Sequence, residues 1–397
     1  MIENKPLELY FHIPFCERKC LYCDFLSAPG EEAQKEAYMR ALLLEAAERG
    51  KRMAYKEQEE NERVRRVVTS VFLGGGTPSV IPGKWIQALL DIVREHYFLT
   101  GDAEITMEVN PGTVDRDKLA AYRRAGINRL SIGLQSAKDE ELVALGRIHT
   151  FAQFLDTWEN ARAEGFANMN VDVMSALPGQ TLESYLETLH RVLELKQPPE
   201  HISAYSLIVE EGTPFASAAA AGKLELPDEE CERMMYVETE RILREHGYYR
   251  YEISNYARPG YECRHNCGYW KRTDYLGFGI GAASLLSNVR FRNGNDLKRY
   301  LKAPLECREE VQELTKEEQM EEFVFLGLRM TEGISPIKFQ QLFGVTMEEI
   351  YGGVISKNKE DGLLFEKEDP ETGQRRIGLT SRGLDLSNYC MAQFLLT

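Results

Sequence analysis

The chain has 397 residues, 43% of them hydrophobic, with 48 basic and 63 acidic side chains giving a formal net charge of −15; that length supports one large packed domain with a smaller companion. The acidic excess repels phosphate backbones and no basic stripe with interleaved aromatics counters it, so nucleic acid is not expected as a partner. No run approaches the ~20 uninterrupted apolar residues of a spanning helix, no export signal opens the chain, and eight cysteines, three of them in one loop, fit a cytoplasmic protein with free thiolates rather than a disulfide framework.

Residues 7–13 are apolar and bounded by Pro6 and Pro14, the pattern of a buried strand. Phe15-Cys16-Glu17-Arg18-Lys19-Cys20-Leu21-Tyr22-Cys23-Asp24-Phe25 follows directly, with its cysteines spaced C-x3-C-x2-C. Helical periodicity over 31–50 carries Tyr38, Leu42, Leu43 and Ala46 and stops at Gly50, and the charged stretch 51–66 reads as a solvated extension or connection. A β-branched run over 67–73 opens into Gly74-Gly75-Gly76-Thr77-Pro78. The alternation continues with a helix over 85–97, a strand over 104–109, a helix over 116–125 and a strand over 129–134. A short helix near Glu140, a helix over 151–164, a strand over 169–177, a helix over 182–195 and a strand over 202–208 complete it. Six strands, each followed by helical sequence, imply an α/β fold with a parallel sheet and right-handed crossovers, a partial (β/α)6 TIM-like barrel.

From Thr315 the character changes. Phe323, Leu326, Leu328 and Met330 suit a helix stopped by Gly333, 339–343 a second helix, 363–377 a charged hairpin turning at 370–373, and 382–396 a last helix. The expected organisation is a barrel core over 1–245, a barrel extension and connector over 246–312, and a small α+β, winged-helix-like domain over 313–397. Glu366, Glu368, Asp369 and Glu371 in the hairpin argue for a lid or a protein-docking surface and against DNA.

The cysteine loop carries the sharpest chemistry. A cubane iron–sulfur cluster has four irons, each normally ligated by a thiolate, so three cysteines on one loop leave one iron open. A zinc site that adds His12 is the alternative, although short zinc sites usually pair two C-x2-C-like halves across a loop. Other polar residues gather at the ends of the expected strands: Gly74 to Pro78, Glu108 and Asn110, Ser131 and Gln135, and Asp172. They share the C-terminal face, where barrels carry their active sites. A tri-glycine turn lets backbone carbonyls and amides approach a ligand. Glu108 and Asp172 can accept bonds from hydroxyls or an ammonium, while Gln135 and Arg147 can bind a ribose and a carboxylate. The bland reading makes both acids solvated strand ends.

The spacing of the cysteines after an apolar strand, with Tyr22 between the second and third, resembles the radical S-adenosylmethionine (SAM) superfamily. There SAM binds the open iron of a [4Fe-4S] cluster and reductive cleavage releases a 5′-deoxyadenosyl radical, the protein positioning cofactors that carry the chemistry. His12-Ile13-Pro14-Phe15-Cys16, Gly74-Gly75-Gly76-Thr77-Pro78, Glu108-Val109-Asn110-Pro111, Arg129-Leu130-Ser131-Ile132-Gly133-Leu134-Gln135, Gly146-Arg147-Ile148-His149 and Leu177-Pro178-Gly179-Gln180-Thr181 are similar to the oxygen-independent coproporphyrinogen III oxidase family of porphyrin biosynthesis. The similarity covers essentially the whole chain. One departure is Ala176, where the family often has glycine. The resemblance implies a [4Fe-4S] cluster on Cys16, Cys20 and Cys23, and SAM held by Tyr10, Tyr22, Phe25, Gly74, Gly75, Gly76, Thr77, Glu108, Gln135, Arg147 and Asp172.

Within that family the oxidases typically have a longer N-terminal arm and a fourth cysteine two positions after the third. Here fifteen residues precede Cys16 and the fourth-cysteine position is Phe25, which resembles the haem-chaperone branch instead. His265-Asn266-Cys267-Gly268-Tyr269-Trp270 resembles the same branch and implies haem as a ligand, contacted by His265, Tyr269 and Trp270. The resemblance also implies a membrane respiratory haem enzyme as acceptor, a second copy of the chain as a homodimer partner, and a location in the cytoplasm or peripheral at the membrane. The residues by themselves fit equally a buried aromatic patch joining two domains, with His265 only hydrogen-bonded. Cys263, four positions before Cys267, reads as a small apolar packing residue.

Overall fold

The computed structural model describes residues 3–59, 64–368 and 373–396. Six strands, β1 (Glu3–Ile13), β2 (Val64–Gly75), β3 (Leu99–Val109), β4 (Arg129–Gln135), β5 (Asn168–Ser175) and β6 (His201–Ser206), lie side by side in that order, each parallel to the next. Helices Glu32–Glu59, Gly83–His96, Arg116–Ala125, Phe151–Ala163 and Leu182–Leu193 intervene. Their starts are written locally: Asp115 caps Lys118 N–H, and Thr150 and Thr181 each form a capping box. This is the partial (β/α)6 barrel that the sequence implied, with its loops collected at the C-terminal strand ends.

Strand alternation sorts the side chains into two populations. Leu7, Leu9, Phe11 and Ile13 of β1, Leu130, Ile132 and Leu134 of β4, and Val171 and Val173 of β5 face outward into the core shared with the helices. The positions between them, such as Tyr10, Glu108, Arg129, Ser131, Asn170, Asp172, His201 and Ser203, line the lumen. The barrel is thus apolar outside its strands and polar within them.

The segment expected as an extension and connector builds both edges of the sheet. Strands β7 (Tyr249–Arg250) and β8 (Asn255–Ala257) add antiparallel beyond β6. Strand β9 (Asp274–Phe278) adds parallel to β1, and β10 (Ala283–Leu286), β11 (Val289–Asn293) and β12 (Arg308–Glu313) continue antiparallel from it, so that this sheet has twelve strands among the described residues. The helix Arg264–Trp270 lies between these two edges in sequence and packs against β2. Among the described residues no helix is long and apolar enough to cross a membrane.

A second hydrophobic core, including Phe323, Phe339, Phe343, Tyr351, Ile377 and Phe394, defines a small C-terminal α+β domain. Several expectations there are corrected. The first helix, Lys316–Gly327, stops before Leu328 and Met330, because the chain turns to pair Ile334 with Ile377. A helix over Met347–Glu360, opened by a Thr346–Glu349 capping box, was not anticipated. The single last helix is two short ones, Ser381–Asp385 and Ser387–Ala392, parted at Leu386 with φ −112°. The hairpin is β13 (Leu364–Glu368) with β14 (Arg375–Leu379); its turn, including Asp369 and Glu371, lies outside the described residues. Glu366 is paired with Lys359 at 2.5 Å and with Arg375, so its charge is matched locally. Arg272 and Arg290 reach Glu322 at 2.8 and 2.6 Å, tying the domain to the sheet.

Strands β5 and β6 end two residues before their expected limits, at Ser175 and Ser206. Beyond β5, Ala176 adopts φ +57° in a buried position, a conformation that costs an L-residue about 1–2 kcal/mol. The alanine at this departure from the family pattern is therefore strained. Ala176→Gly is expected to stabilise the protein by about 0.5–1 kcal/mol after the extra chain entropy of glycine is counted. Denaturant unfolding checks this, and a destabilised variant would contradict it.

Candidate functional site

The cysteine loop leaves β1 at Ile13 and is pinned at several points. Cys16 N–H donates to Ala28 O at 3.1 Å, Leu21 N–H to Leu145 O at 3.0 Å, and Phe215 N–H to Leu21 O at 3.1 Å. Cys16, Cys20 and Cys23 are free and half-buried. Thr77 Oγ1 donates to Cys16 Sγ at 3.4 Å, and Arg147 Nη1 approaches Cys20 Sγ at 3.7 Å. Among the described residues no three His, Cys, Asp or Glu side chains converge on one metal-ion position. His12 cannot complete a zinc set here, since its Nδ1 meets the Tyr10 hydroxyl at 3.0 Å and its Nε2 meets Leu26 O at 2.9 Å. A cubane makes no demand for convergence, because each thiolate takes a different iron.

The glycine turn abuts the root of this loop. Gly75 sits at φ +112°, and a Cβ there would lie 2.6 Å from the His12 ring, so glycine is required both conformationally and sterically. The amides of the turn are already engaged: Gly75 N–H with Glu108 Oε2 at 3.1 Å, Gly76 N–H with Ile13 O at 2.9 Å and Thr77 N–H with Phe15 O at 2.8 Å. The expectation that these amides hold a ligand is corrected, which leaves the carbonyls of the turn as the groups that could meet an ammonium.

Arg147 ties three elements together. Its Nη2 donates to Asn110 Oδ1 at 3.0 Å and Gly133 O at 2.5 Å, while Asn110 Nδ2 donates to Thr77 Oγ1 at 2.8 Å. A Cβ on Gly133 would stand 3.0 Å from Gln135 Nε2 and 3.1 Å from Arg147 Nη2, so that glycine makes room for both. Gln135 is held at φ +72° where β4 bulges against β5, a strained backbone of the kind found at ligand sites. Asn110 and Gly133 form this assembly as much as Arg147 does; the signal for Gly133 was a glycine inside an otherwise regular strand.

A cavity of about 460 Å³ opens beside the loop and runs down the lumen. Tyr10, Tyr22, Cys23, Phe25, Glu108, Gln135 and Asp172 line it, together with His265 and Tyr269. Phe25 is 59% exposed at its mouth. Cys20, Thr77 and Arg147 instead line a small pocket with Asn110. Trp270 is placed elsewhere: its ring packs near Tyr251 and Met330, lies under the Arg329 guanidinium at 4.2 Å, and borders a groove of the C-terminal domain. Of the three expected haem contacts, then, two face the lumen and one serves the domain junction.

His265 is buried, with Ser70 Oγ 2.8 Å from Nδ1 and the Tyr269 hydroxyl 3.0 Å from Nε2. Burial, assisted by the Arg129 charge, pushes its pKa down to about 3. Glu8, 3.8 Å from Nδ1, is pushed up to about 9 by burial, against a hydrogen bond to Ser70. Both are neutral near pH 7, and their contact is no ion pair. The imidazole is a hydrogen-bonded part of the cavity wall.

The Radical SAM superfamily model matches residues 10–192 and the HemN C-terminal domain model matches residues 314–370. The heme chaperone HemW of Lactococcus lactis is 36% identical over 99% of this chain and 98% of its own length. This chain belongs to the HemW family. The heme chaperone HemW of Escherichia coli is 41% identical over 75% of this chain and 74% of its own length. Among solved structures, the radical SAM enzyme coproporphyrinogen III oxidase (HemN) of Escherichia coli superposes with a TM-score of 0.80 at 25% identity, covering 99% of this chain and 91% of that one.

Membership of the HemW family, a branch of the radical SAM superfamily, implies a [4Fe-4S] cluster and SAM, and the donor set fits both. Three unbridged thiols share a pinned loop, two of them beside a hydroxyl or guanidinium donor that favours bound negative charge. Glu108, which accepts Gly75 N–H beside the loop's root, and Asp172 both face the cavity. Glu108 keeps some accessible surface because it lines the cavity, yet burial and repulsion from Asp172 push its pKa up to about 8 against the Gly75 N–H. A cationic ligand group beside it would reverse that shift.

An acid whose pKa rises on folding stabilises the fold most below its unfolded value of 4.5, and that contribution is lost as pH climbs through about 8. Glu108→Gln should remove this pH dependence. In ligand-free protein, the Tm of wild type is expected to fall relative to that of the variant between about pH 5 and about pH 8.5. A constant gap would show that Glu108 is already ionised in the fold.

Proposed function

We propose that this protein is a radical SAM haem chaperone. In this reading Cys16, Cys20 and Cys23 hold a [4Fe-4S] cluster, SAM lies at the C-terminal face, haem enters the lumen, and the carrier delivers it to a membrane respiratory enzyme from the cytoplasmic side, with a homodimer as the working form. The observation that carries the reading is the match to the heme chaperone HemW of Lactococcus lactis along nearly the full length of both chains. The lumen supports it, since one cavity joins the cysteine loop to the His265–Tyr269 wall.

The bound cluster and SAM would supply an electron and a cleavable sulfonium. The chain's own residues do the rest. Thr77 and Arg147 donate toward the sulfurs. Glu108 and the glycine-turn carbonyls suit the SAM ammonium, Gln135 and Asp172 its ribose, and the Arg147 assembly sets the spacing among them. Tyr10 orients His12, and Phe25 covers the cavity mouth with an apolar face.

A second reading, coproporphyrinogen III oxidation, draws on the structural match to HemN. Two measurements address the proposal. Anaerobic reconstitution should load about four irons and support calorimetric SAM binding that Asp172→Ala and Gln135→Ala each weaken; a triple Cys→Ala variant that keeps the iron would sink the cluster assignment. In parallel, reconstituted protein supplied with SAM, reductant and coproporphyrinogen III should form no protoporphyrinogen while binding haem stoichiometrically. Product at many turnovers would establish the oxidase instead.

A further inference from the structure

Arg129 feels the charges of Glu104 and Asp172 but, among the described residues, contacts neither directly. Arg129, the first residue of β4, is 2% exposed and lines the cavity. Its Nε is buried without an acceptor, and among the described residues the side chain makes no hydrogen bond or ion pair. Arginine cannot shed its charge inside a protein, and a buried charge is normally paired.

The neighbouring groups are committed elsewhere. Glu104 accepts Arg264 N–H at 3.1 Å and His265 N–H at 3.3 Å. Asp172 Oδ1 accepts Asn170 Nδ2 at 2.7 Å. His201 bonds Asn170 Oδ1 at 2.6 Å and the Tyr251 hydroxyl at 2.8 Å, and burial and the Arg129 charge keep it neutral. Cys263, also beside Arg129, is held as a neutral thiol by burial. The guanidinium therefore faces open cavity.

Arg129 and Gln135 are the two ends of β4 and line the same cavity; six steps of ~3.3 Å put roughly 20 Å of strand between them. Glu108, in register with Ser131, stands two strand positions above Arg129, so this floor lies directly below the cofactor site. Between floor and mouth, Phe72, Met174, Leu207 and Ile208 contribute apolar wall. The lumen suits a ligand with an apolar body and an acid group at its deep end.

We propose that Arg129 binds a carboxylate of the ligand admitted to the lumen. On the tetrapyrrole reading above, on which this rests, that carboxylate is a propionate, held through the forked geometry of the guanidinium.

The test compares acids with esters in the full chain. Haem, haem dimethyl ester, coproporphyrin III and its tetramethyl ester are titrated into wild type, Arg129→Gln, Arg129→Met and Arg129→Lys. Wild type should prefer each acid over its ester at least about tenfold, as expected for a desolvated charge pair. Arg129→Gln and Arg129→Met should lose that preference, and Arg129→Lys should keep part of it. Because the unpaired cation burdens the empty fold, Arg129→Met should also raise the Tm of ligand-free protein, which a purely structural arginine would not do.

Retained acid preference in Arg129→Gln overturns the inference while leaving haem binding intact. No haem binding, with an Arg129-dependent preference for coproporphyrin III, overturns the chaperone reading and supports the inference. A wild type without acid preference, or one that binds none of the four, overturns the inference whether or not the variants fold.

Discussion

Strand alternation in the partial barrel is the constraint on which the rest of the molecule depends. Each of the six parallel strands must send every second side chain inward, and in this chain most of those positions are polar, Phe72 and Met174 excepted, while their neighbours are apolar. The outer set fuses strands and helices into one core. The inner set cannot pack as a core, so it forms a hydrogen-bonded lining around an open lumen. A closed TIM barrel fills its interior with branched apolar residues; this one is built to admit something.

Chemistry concentrates where the lining meets the C-terminal strand ends. The cysteine loop, glycine turn and the assembly of Arg147, Asn110 and Gly133 interlock through short backbone and side-chain bonds. Positions that look like separate ligand contacts are thus mutually supporting, and a change in one moves the others. The glycine turn illustrates this, since its amides brace Glu108 and the root of the cysteine loop.

Electrostatically the lumen holds charges that its own residues leave incompletely compensated. Burial favours the neutral forms of Glu8, Glu108, His201 and His265, yet it cannot neutralise Arg129 or Arg147. A cationic group near Glu108 and an anionic group near Arg129 would each relieve a local cost within one cavity.

The sequence by itself determined the six-strand count, the helix positions between strands and the cysteine loop, because two-residue and 3.6-residue periodicities and cysteine spacing are local. It also placed Glu108, Gln135 and Asp172 on one face, since strand order alone says which ends meet. Polar residues at alternate positions of buried strands, among them Glu8, Glu104, Arg129 and His201, were visible but went unread as a lining. Tertiary structure alone decided the remainder. Whether 249–313 became a linker or both sheet edges depended on long-range pairings such as Leu7 with Asp274 and His201 with Ala257. Trp270 points to the domain junction and His265 to the lumen although they are only five positions apart, because a short helix rotates successive side chains by about 100° and only its packing against β2 sets which one faces inward.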